Sequence, residues 1–432
     1  LLLLLMTKFV YKKRMLFIKK ITHFLMAVLA YWWYGRPAKK LIVIGVTGTK
    51  GKSTTCRLIA SVLEAGGNKV GMLTTVEFQI GEKRWLNDKK MTMLGRGQIQ
   101  QMLKQMVKAG CKYAVVETSS EGILQYRHVG LNYNTAVFTN LGTEHSERHG
   151  GFENLKRDKA KIFANAKIIV ANTDDENANY YLNFPAKEKW GFSKNEVRMM
   201  NDEVRILTAT NITSDNNGSR FFIHHSLFII HLLGEFNVYN ALAAIAVGRS
   251  QKISDEKIAA GLASVKLVEG RMEFVDEGQN FKVIVDYAHE SMSLTELFNS
   301  LRHLVGPNHK VISVVGSDGG GRDKGKREKM GELAGKLTVY VIITDVNCYD
   351  EDPTEIAEML AVGARYAGKK DGVDLFIIVD RREAITKAIS LAGAGDAVTI
   401  TAKGTEPYIA VANGKRISWD DRRVAREVLE NI

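Results

Sequence analysis

The run Thr47-Gly48-Thr49-Lys50-Gly51-Lys52-Ser53-Thr54-Thr55 follows the apolar stretch Leu41–Val46 and precedes a helix-like pattern. A strand, a glycine-rich loop and a helix in that order make a cradle for phosphate. Gly48 and Gly51 let backbone N–H groups of the loop, including those of Thr49, Lys50 and Thr54, turn toward phosphate oxygens. Lys52 brings a positive charge to the terminal phosphates, and the Ser53 hydroxyl suits Mg2+. The strict G-x-x-x-x-G-K-[ST] spacing is not met, because Val46 stands where its first glycine belongs. The shorter T-G-T-x-G-K-S form remains, and the chain is expected to use a nucleotide.

At 432 residues the chain exceeds one hydrophobic core and is expected to form two or three domains of ~150 residues each. The three cysteines, Cys56, Cys111 and Cys348, are widely spaced and lack any C-x-x-C pairing, which argues against a disulfide framework and a zinc site. The net charge of +12 suggests nucleic acid at first sight. Residues 1–40, however, hold nine Lys/Arg and no Asp or Glu, which leaves only three of the twelve net charges to the rest. The basicity belongs to an N-terminal segment, and a nucleic-acid partner is not expected.

That segment joins Lys12, Lys13, Arg14, Lys19 and Lys20 to an apolar run from Ile21 to Tyr34 that ends in Tyr31-Trp32-Trp33-Tyr34. The run is shorter than the ~20 residues that span a bilayer, while its Lys/Arg and Trp/Tyr flanks suit a membrane surface. Residues 1–34 therefore allow peripheral membrane contact at the inner face of a membrane. A helix packed by its aromatic face on the first domain is the alternative, and a signal peptide ending near Ala27-Val28-Leu29-Ala30 competes less well.

Beyond the loop, apolar strand candidates at Val70–Leu73, Tyr113–Glu117, Thr135–Thr139 and Ile168–Ala171 alternate with helices, as in a mostly parallel sheet. Between about 195 and 234, the pieces Arg205–Thr208, Arg220–His224 and Leu227–Leu232 read as an antiparallel appendage, and an Ala-rich helix follows at Val238–Val247. A second alternating series holds strands at Val283–Asp286, Val311–Val315, Val339–Thr344, Leu375–Val379 and Ala397–Thr401. The expected architecture is α/β: a segment over 1–40, a phosphate-loop central domain over 41–268 and a Rossmann-like, doubly wound domain over 269–432. In such sheets ligands lie beyond the carboxyl ends of the strands. Glu117 ends one strand and His145 follows another, so both reach toward Mg2+ or phosphate.

At this point the chain resembles the Mur ligase family, and most of all its UDP-N-acetylmuramoyl-tripeptide synthetase (MurE) type. The resemblance runs from about Leu41 to the C-terminus. It rests on ordered motifs: TGTKGKSTT (47–55), VETSSEGILQYR (116–127), FTNLGTEHSERHG (138–150), KRDKAKIF (156–163), GEFNVYNALAA (234–244), EGRME (269–273), VDYAH (285–289), GRDKGKREKMG (321–331), EDP (351–353) and AKGTE (402–406). The resemblance implies an ATP-driven amide synthesis in the cytoplasm. A carboxylate takes the γ-phosphate of ATP to form an acyl phosphate, and the amine of an amino acid attacks it. It further implies that Lys52 neutralises the β/γ-phosphates and that Ser53, Glu117 and His145 hold Mg2+. Lys159 falls at the family's carbamylated lysine, a change that turns a cation into an anion able to bind the second metal. Asn240 matches an adenine-binding asparagine, Arg271 and Asp286 match contacts to phosphate and ribose, Ser119 and Arg127 belong to the acceptor region, and Arg327 and Glu406 match contacts to the amino acid.

Departures bear on the substrates. Only about forty residues precede the phosphate loop, so the family's UDP-holding domain is expected to be absent. Thr92-Met93-Leu94 stands for a Thr-Thr-Pro, and Glu121 replaces a histidine. Val346-Asn347-Cys348-Tyr349 stands for the D-N-P-R of diaminopimelate-adding members, and Tyr349 lacks the bidentate fork an arginine offers a distal carboxylate. The leading expectation is a MurE-like ligase acting in peptidoglycan precursor synthesis. A poly-γ-glutamate-type or other amide-polymer synthetase and a non-catalytic nucleotide-binding partner protein are the alternatives.

Overall fold

The computed structural model describes residues 19–144, 146–195 and 203–431. The chain divides into two compact units: residues up to Ile212 with Phe221–Ile229 and Val238–Val265, and Thr213–Arg220 with Ile230–Asn237 and Lys266–Ile432.

Nine strands form the sheet of the first unit: β1 (Ile42–Thr47), β2 (Val70–Leu73), β3 (Glu77–Ile80), β4 (Lys83–Leu86), β5 (Tyr113–Glu117), β6 (Thr135–Phe138), β7 (Ile168–Asn172), β8 (Glu188–Ser193) and β9 (Val204–Thr208). Their order is β4-β3-β2-β5-β1-β6-β7-β8-β9. β1, β2, β5 and β6 are apolar and almost wholly buried, the composition of parallel strands covered on both faces. β1 pairs in parallel with β5 on one side and β6 on the other. The connection from β1 to β2 and that from β5 to β6 run in opposite directions across the sheet, which makes the crevice beyond the carboxyl ends of β1 and β5 the natural ligand site.

The strands Glu188–Ser193, Thr210–Asp215 and Glu273–Val275 are absent from the sequence reading, and two further elements depart from it. Val204–Thr208 is not part of an antiparallel appendage but a parallel edge strand on β8, with Lys189 opposite Val204 and Ser193 opposite Thr208. Its alternating pattern reports one buried face and says nothing of which neighbour it pairs with. The hairpin β3–β4, antiparallel to β2 and to itself, caps the other edge; its apolar residues are interrupted by Gln79, Lys83 and Arg84 and make no strand-like run. The appendage is reduced to β10 (Thr210–Asp215), β11 (Gly218–Ile223) and β12 (Ser226–Ile230).

The second unit has β13 (Glu273–Val275), β14 (Lys282–Val285), β15 (Val311–Val315), β16 (Tyr340–Ile343), β17 (Leu375–Ile377) and β18 (Ala397–Ile400), ordered β13-β14-β18-β15-β16-β17. All pair in parallel except β13. Alternate residues feed two cores. Ile284, Val341 and Ile343 pack with helices Ser291–Val305, Gly325–Leu337 and Pro353–Tyr366. Val283, Val285, Ile312 and Ile342 pack with Arg381–Ser390 and Asp421–Leu429 on the other face. A hairpin of β19 (Tyr408–Ala410) and β20 (Arg416–Ser418) follows the sheet.

Gly325–Leu337 and Pro353–Tyr366 touch backbone to backbone. A Cβ on Gly331 would stand 1.8 Å from the Leu360 carbonyl oxygen, and one on Gly363 1.8 Å from that of Glu328. We expect Gly331→Ala to push the helices apart and cost about 1–3 kcal/mol, read as a lower denaturant midpoint. Gly97→Ala, in a helix with open space around it, is expected to be neutral or to stabilise by up to ~1 kcal/mol.

Candidate active site

Register sets the site of the first unit. Val46 lies opposite Glu117 and Thr47 opposite Phe138, so the loop after β1 emerges level with the ends of β5 and β6. Val46, the residue in place of the usual glycine, is a buried strand residue, and the loop is correspondingly short.

The loop is pinned to the segment after β6. The Thr49 N–H donates to the Asn140 carbonyl (2.9 Å), the Lys50 N–H to Asn140 Oδ1 (2.9 Å), and the Thr139 hydroxyl to the Lys50 carbonyl (2.7 Å). The Gly142 N–H donates to the Thr49 hydroxyl (2.8 Å). Gly48 has φ +153, and a Cβ there would lie 1.9 Å from Thr139 Oγ1; Gly51 has φ +77, and a Cβ there would lie 2.3 Å from Asn240 Oδ1. Both positions therefore require glycine. Gly51 caps the helix Lys52–Ala65, whose first turn carries no acid and includes the buried Ser53 and Thr54. Together with Lys52 this end suits the phosphates of ATP. Lys52 Nζ donates to the Thr49 carbonyl (2.8 Å).

Glu117 is buried and accepts from Ser53 Oγ (2.8 Å), the Thr75 N–H (2.7 Å) and the Thr75 hydroxyl (2.9 Å). The Thr75 oxygen also lies 2.9 Å from Thr92 Oγ1; because its one proton goes to the carboxylate, it accepts from the Thr92 hydroxyl, which ties the altered Thr-Met-Leu motif to Glu117. The Ser53 and Glu117 oxygens form a hard donor pair of the kind Mg2+ prefers. Among the described residues there is no group of three His, Cys, Asp or Glu side chains placed to hold a metal, so the pair fits Mg2+ only with help from other donors. His145 lies outside the described residues.

Lys159 comes from the helix Phe152–Ala160. Buried, it donates to the Gly48 carbonyl (2.8 Å). Burial, aided by repulsion from Lys52 and opposed by Glu144, pulls its pKa down to about 7. Near neutrality much of it is a free amine, the form that reacts with CO2. Asn240, on Asn237–Ser250, accepts from the Thr55 hydroxyl through Oδ1 (3.0 Å) and so braces the phosphate loop.

On the acceptor side, Ser119 caps the helix Ser120–Leu124 by accepting from the Gly122 N–H (3.2 Å). Glu121 is half-exposed and paired with Arg148 (3.1 Å), which removes the anion from the acceptor region. Arg127 donates to the Met93 carbonyl and to Gln125 Oε1 (2.7 Å). Among the described residues its buried Nε has no partner, nor have Nε and Nη2 of Arg96. Burial and Arg127 lower the pKa of Arg96. Two guanidinium groups with unused donors form a site for an anionic group, and Arg96 escaped the sequence reading because it belongs to no motif.

The second unit carries the rest. Asp286 accepts from the Met272 N–H (2.7 Å) and the Ala288 N–H (2.6 Å); burial raises its pKa, with Arg271 opposing. Arg271 stacks on Tyr287 at 4.6 Å. Asn347 donates to Asp318 (2.7 Å) and Glu406 (3.1 Å), and Glu406 also takes Lys403 Nζ (3.1 Å). Arg327 is buried against Glu351 (3.1 Å) and the Asp318 carbonyl (3.0 Å), where it fastens the loop of its own motif. The exposed guanidinium of that motif is Arg322. It hydrogen-bonds Tyr349; desolvation lowers its pKa, and Asp318 and then Tyr349 more than offset this, so that it ends raised. The sequence holds both arginines in GRDKGKR, and only the position of Glu351 separates them.

Residues 46–248 match the Mur ligase middle domain and residues 270–404 the Mur ligase glutamate ligase domain. The chain belongs to the Mur ligase family. A UDP-N-acetylmuramyl-tripeptide synthetase of Roseiflexus sp. (strain RS-1) is 36% identical over 428 residues, covering 94% of this chain and 82% of that protein. A UDP-N-acetylmuramoyl-L-alanyl-D-glutamate--2,6-diaminopimelate ligase of Geobacillus kaustophilus is also 36% identical, with the same shares covered. A solved ligase of the latter name superposes with a TM-score of 0.61 at 30% identity, over 90% of this chain and 78% of that one. The fold is shared with Mycobacterium tuberculosis folylpolyglutamate synthase complexed with ADP, at a TM-score of 0.66 and 16% identity over 92% and 96% of the two chains. This Mur ligase is thus an ATP-dependent, ADP-forming acid–amino-acid ligase.

The depressed pKa of Lys159 fixes the sign of a stability effect. The unfolded lysine binds a proton up to about pH 10.4, the folded one only up to about 7. Burial therefore costs most below pH 7, and the cost is relieved as pH rises between the two values. With CO2 excluded, we expect the unfolding free energy to gain up to ~1.4 kcal/mol per pH unit from this group between pH 7 and 9. Lys159→Met should lose that increment in denaturant titrations.

Proposed function

We propose that this Mur ligase adds one amino acid to the free carboxylate of a muramoyl-peptide precursor of peptidoglycan in the cytoplasm. The observation that carries the reading is the grouping of the phosphate loop, the Ser53–Glu117 oxygen pair and the buried Lys159 at the ends of three adjacent strands. ATP phosphates rest on the N–H groups at the start of the helix Lys52–Ala65, Thr54 included, with Lys52 against the terminal ones; the Thr49 and Lys50 N–H groups, expected from the sequence to face phosphate, are instead engaged by Asn140. Lys159 Nζ attacks CO2, forming an N–C bond and losing a proton, and the carbamate so made is an anion. With Ser53, Glu117 and His145 it would hold Mg2+, whose charge would screen carboxylate from phosphate. Asn240 serves the nucleotide.

Arg127, with Arg96, takes an anionic group of the acceptor that does not react, while Ser119 shapes the turn between them and Glu117. For the amino acid, the exposed Arg322 suits the α-carboxylate, and Glu406, held by Asn347 and Lys403, suits the amine. Tyr349 occupies the selecting position. It favours a co-substrate whose side chain ends in a polar or aromatic group over one with a distal carboxylate.

The test is turnover with ATP over a matrix of acceptors and amino acids, with mass detection. We expect ADP, phosphate and a product larger by one residue. Stoichiometric AMP would sink the acyl-phosphate route, and a ladder of products would mark a polymer-forming ligase instead. Lys52→Ala should cut turnover by a factor on the order of a hundred or more. Lys159→Ala should abolish turnover, and millimolar short carboxylates should restore part of it. Unchanged turnover in Lys159→Ala would remove the lysine from the metal site.

A further inference from the structure

The helix of residues 19–33 has two faces. One is tied to the first unit: Ala27 is buried, Phe24 meets Tyr126 edge-on at 5.7 Å, and the Tyr31 hydroxyl accepts from Asn132 Nδ2 (3.3 Å). A Cβ on Gly130 would strike the Tyr31 ring at 2.7 Å. His23, on this side, feels the charges of Arg96 and Arg127. The other face is apolar and open. Ile21, Leu25, Leu29 and Trp32 follow at helical spacing, exposed by 44, 52, 68 and 59%, and Trp33 beside them by 83%. Five large apolar side chains on one stripe make a docking surface.

We propose that this face docks on an anionic lipid bilayer. Charge selects the occupant. Lys19 and Lys20 are exposed in the first described residues of the helix, Arg36, Lys39 and Lys40 follow its other end, and residues 1–40 contain no acid. A second copy of the chain would bring two basic segments together, and the preceding residues, with Lys8, Lys12, Lys13 and Arg14, would add positive charge rather than neutralise it. Anionic headgroups neutralise both ends while the stripe enters the acyl boundary and the Trp pair sits at the interface. The helix lies flat, since no helix among the described residues is long and apolar enough to cross a membrane. The two sequence readings of this segment are thus compatible, because packing and lipid use opposite faces. The proposal does not depend on the identity of the ligase substrates.

The experiment measures partitioning of the full chain onto vesicles of phosphatidylcholine with 30% phosphatidylglycerol. Trp32 and Trp33 emission is read against a Trp32→Phe/Trp33→Phe variant. We expect a blue shift and quenching by brominated lipid, a fall of tenfold or more in partitioning for Leu25→Gln/Leu29→Gln, and a comparable fall in 0.5 M salt or on pure phosphatidylcholine. The Gln variant should keep its ATPase rate and melting temperature, as exposed positions allow. No binding to the anionic vesicles at low salt overturns the proposal. So does equal binding by the Gln variant, which would mean adsorption by charge alone. Sedimentation showing a dimer that Leu29→Gln dissociates would give the face to a second copy, and retained binding after the helix is masked by the preceding residues, seen as unquenched Trp emission, would give it to the chain itself.

Discussion

The parallel pairing of β1 with β5 and β6 fixes the height at which three loops leave the sheet, and every contact at the nucleotide end inherits that height. With Val46 opposite Glu117 and Thr47 opposite Phe138, the phosphate loop meets Thr139 and Asn140 on one side and the Glu117 carboxylate on the other. A slip of one residue would turn each of these groups to the wrong face of the sheet. Strands buried on both faces hold the register firmly, because a slip also exposes their apolar sets.

Charge is arranged around that frame with little slack. Lys52 and Lys159 converge near the Gly48 and Thr49 carbonyls, and two ammonium groups in a buried setting repel. The pair is tolerable because one of them gives up its proton near neutrality. The acidic groups are satisfied by other means: Glu117 by two hydroxyls and an N–H, and Glu121 by Arg148 at the surface.

Most parallel strands were legible within a residue or two, since a short apolar run bounded by turn residues carries its own signal; β8, which opens on Glu188 and Lys189, was missed. β9 was located and mispaired, because a half-buried alternation records a face and not a neighbour. The hairpin Glu77–Leu86 was illegible, because the residues it packs on the core, Phe78, Ile80 and Trp85, are scattered among polar ones and form no run. Motif spacing exposed the phosphate loop, Glu117 and Lys159. It did not separate Arg322 from Arg327, which share a motif and differ only in that Glu351, distant in sequence, draws one of them inward. Thr75 and Arg96 had no signal at all, since their roles come from a carboxylate and a guanidinium on other elements.

Gly51 and Asn240 stand in contact without room for a methyl group between them, and the same Asn240 oxygen accepts from Thr55. Any side chain at 51 would require a smaller residue at 240, which in turn would leave the Thr55 hydroxyl without that acceptor. Evolution can therefore not explore these three sites one at a time. The loop and the distant helix form a single inherited unit, and a swap of either between homologues works only when its counterpart travels with it.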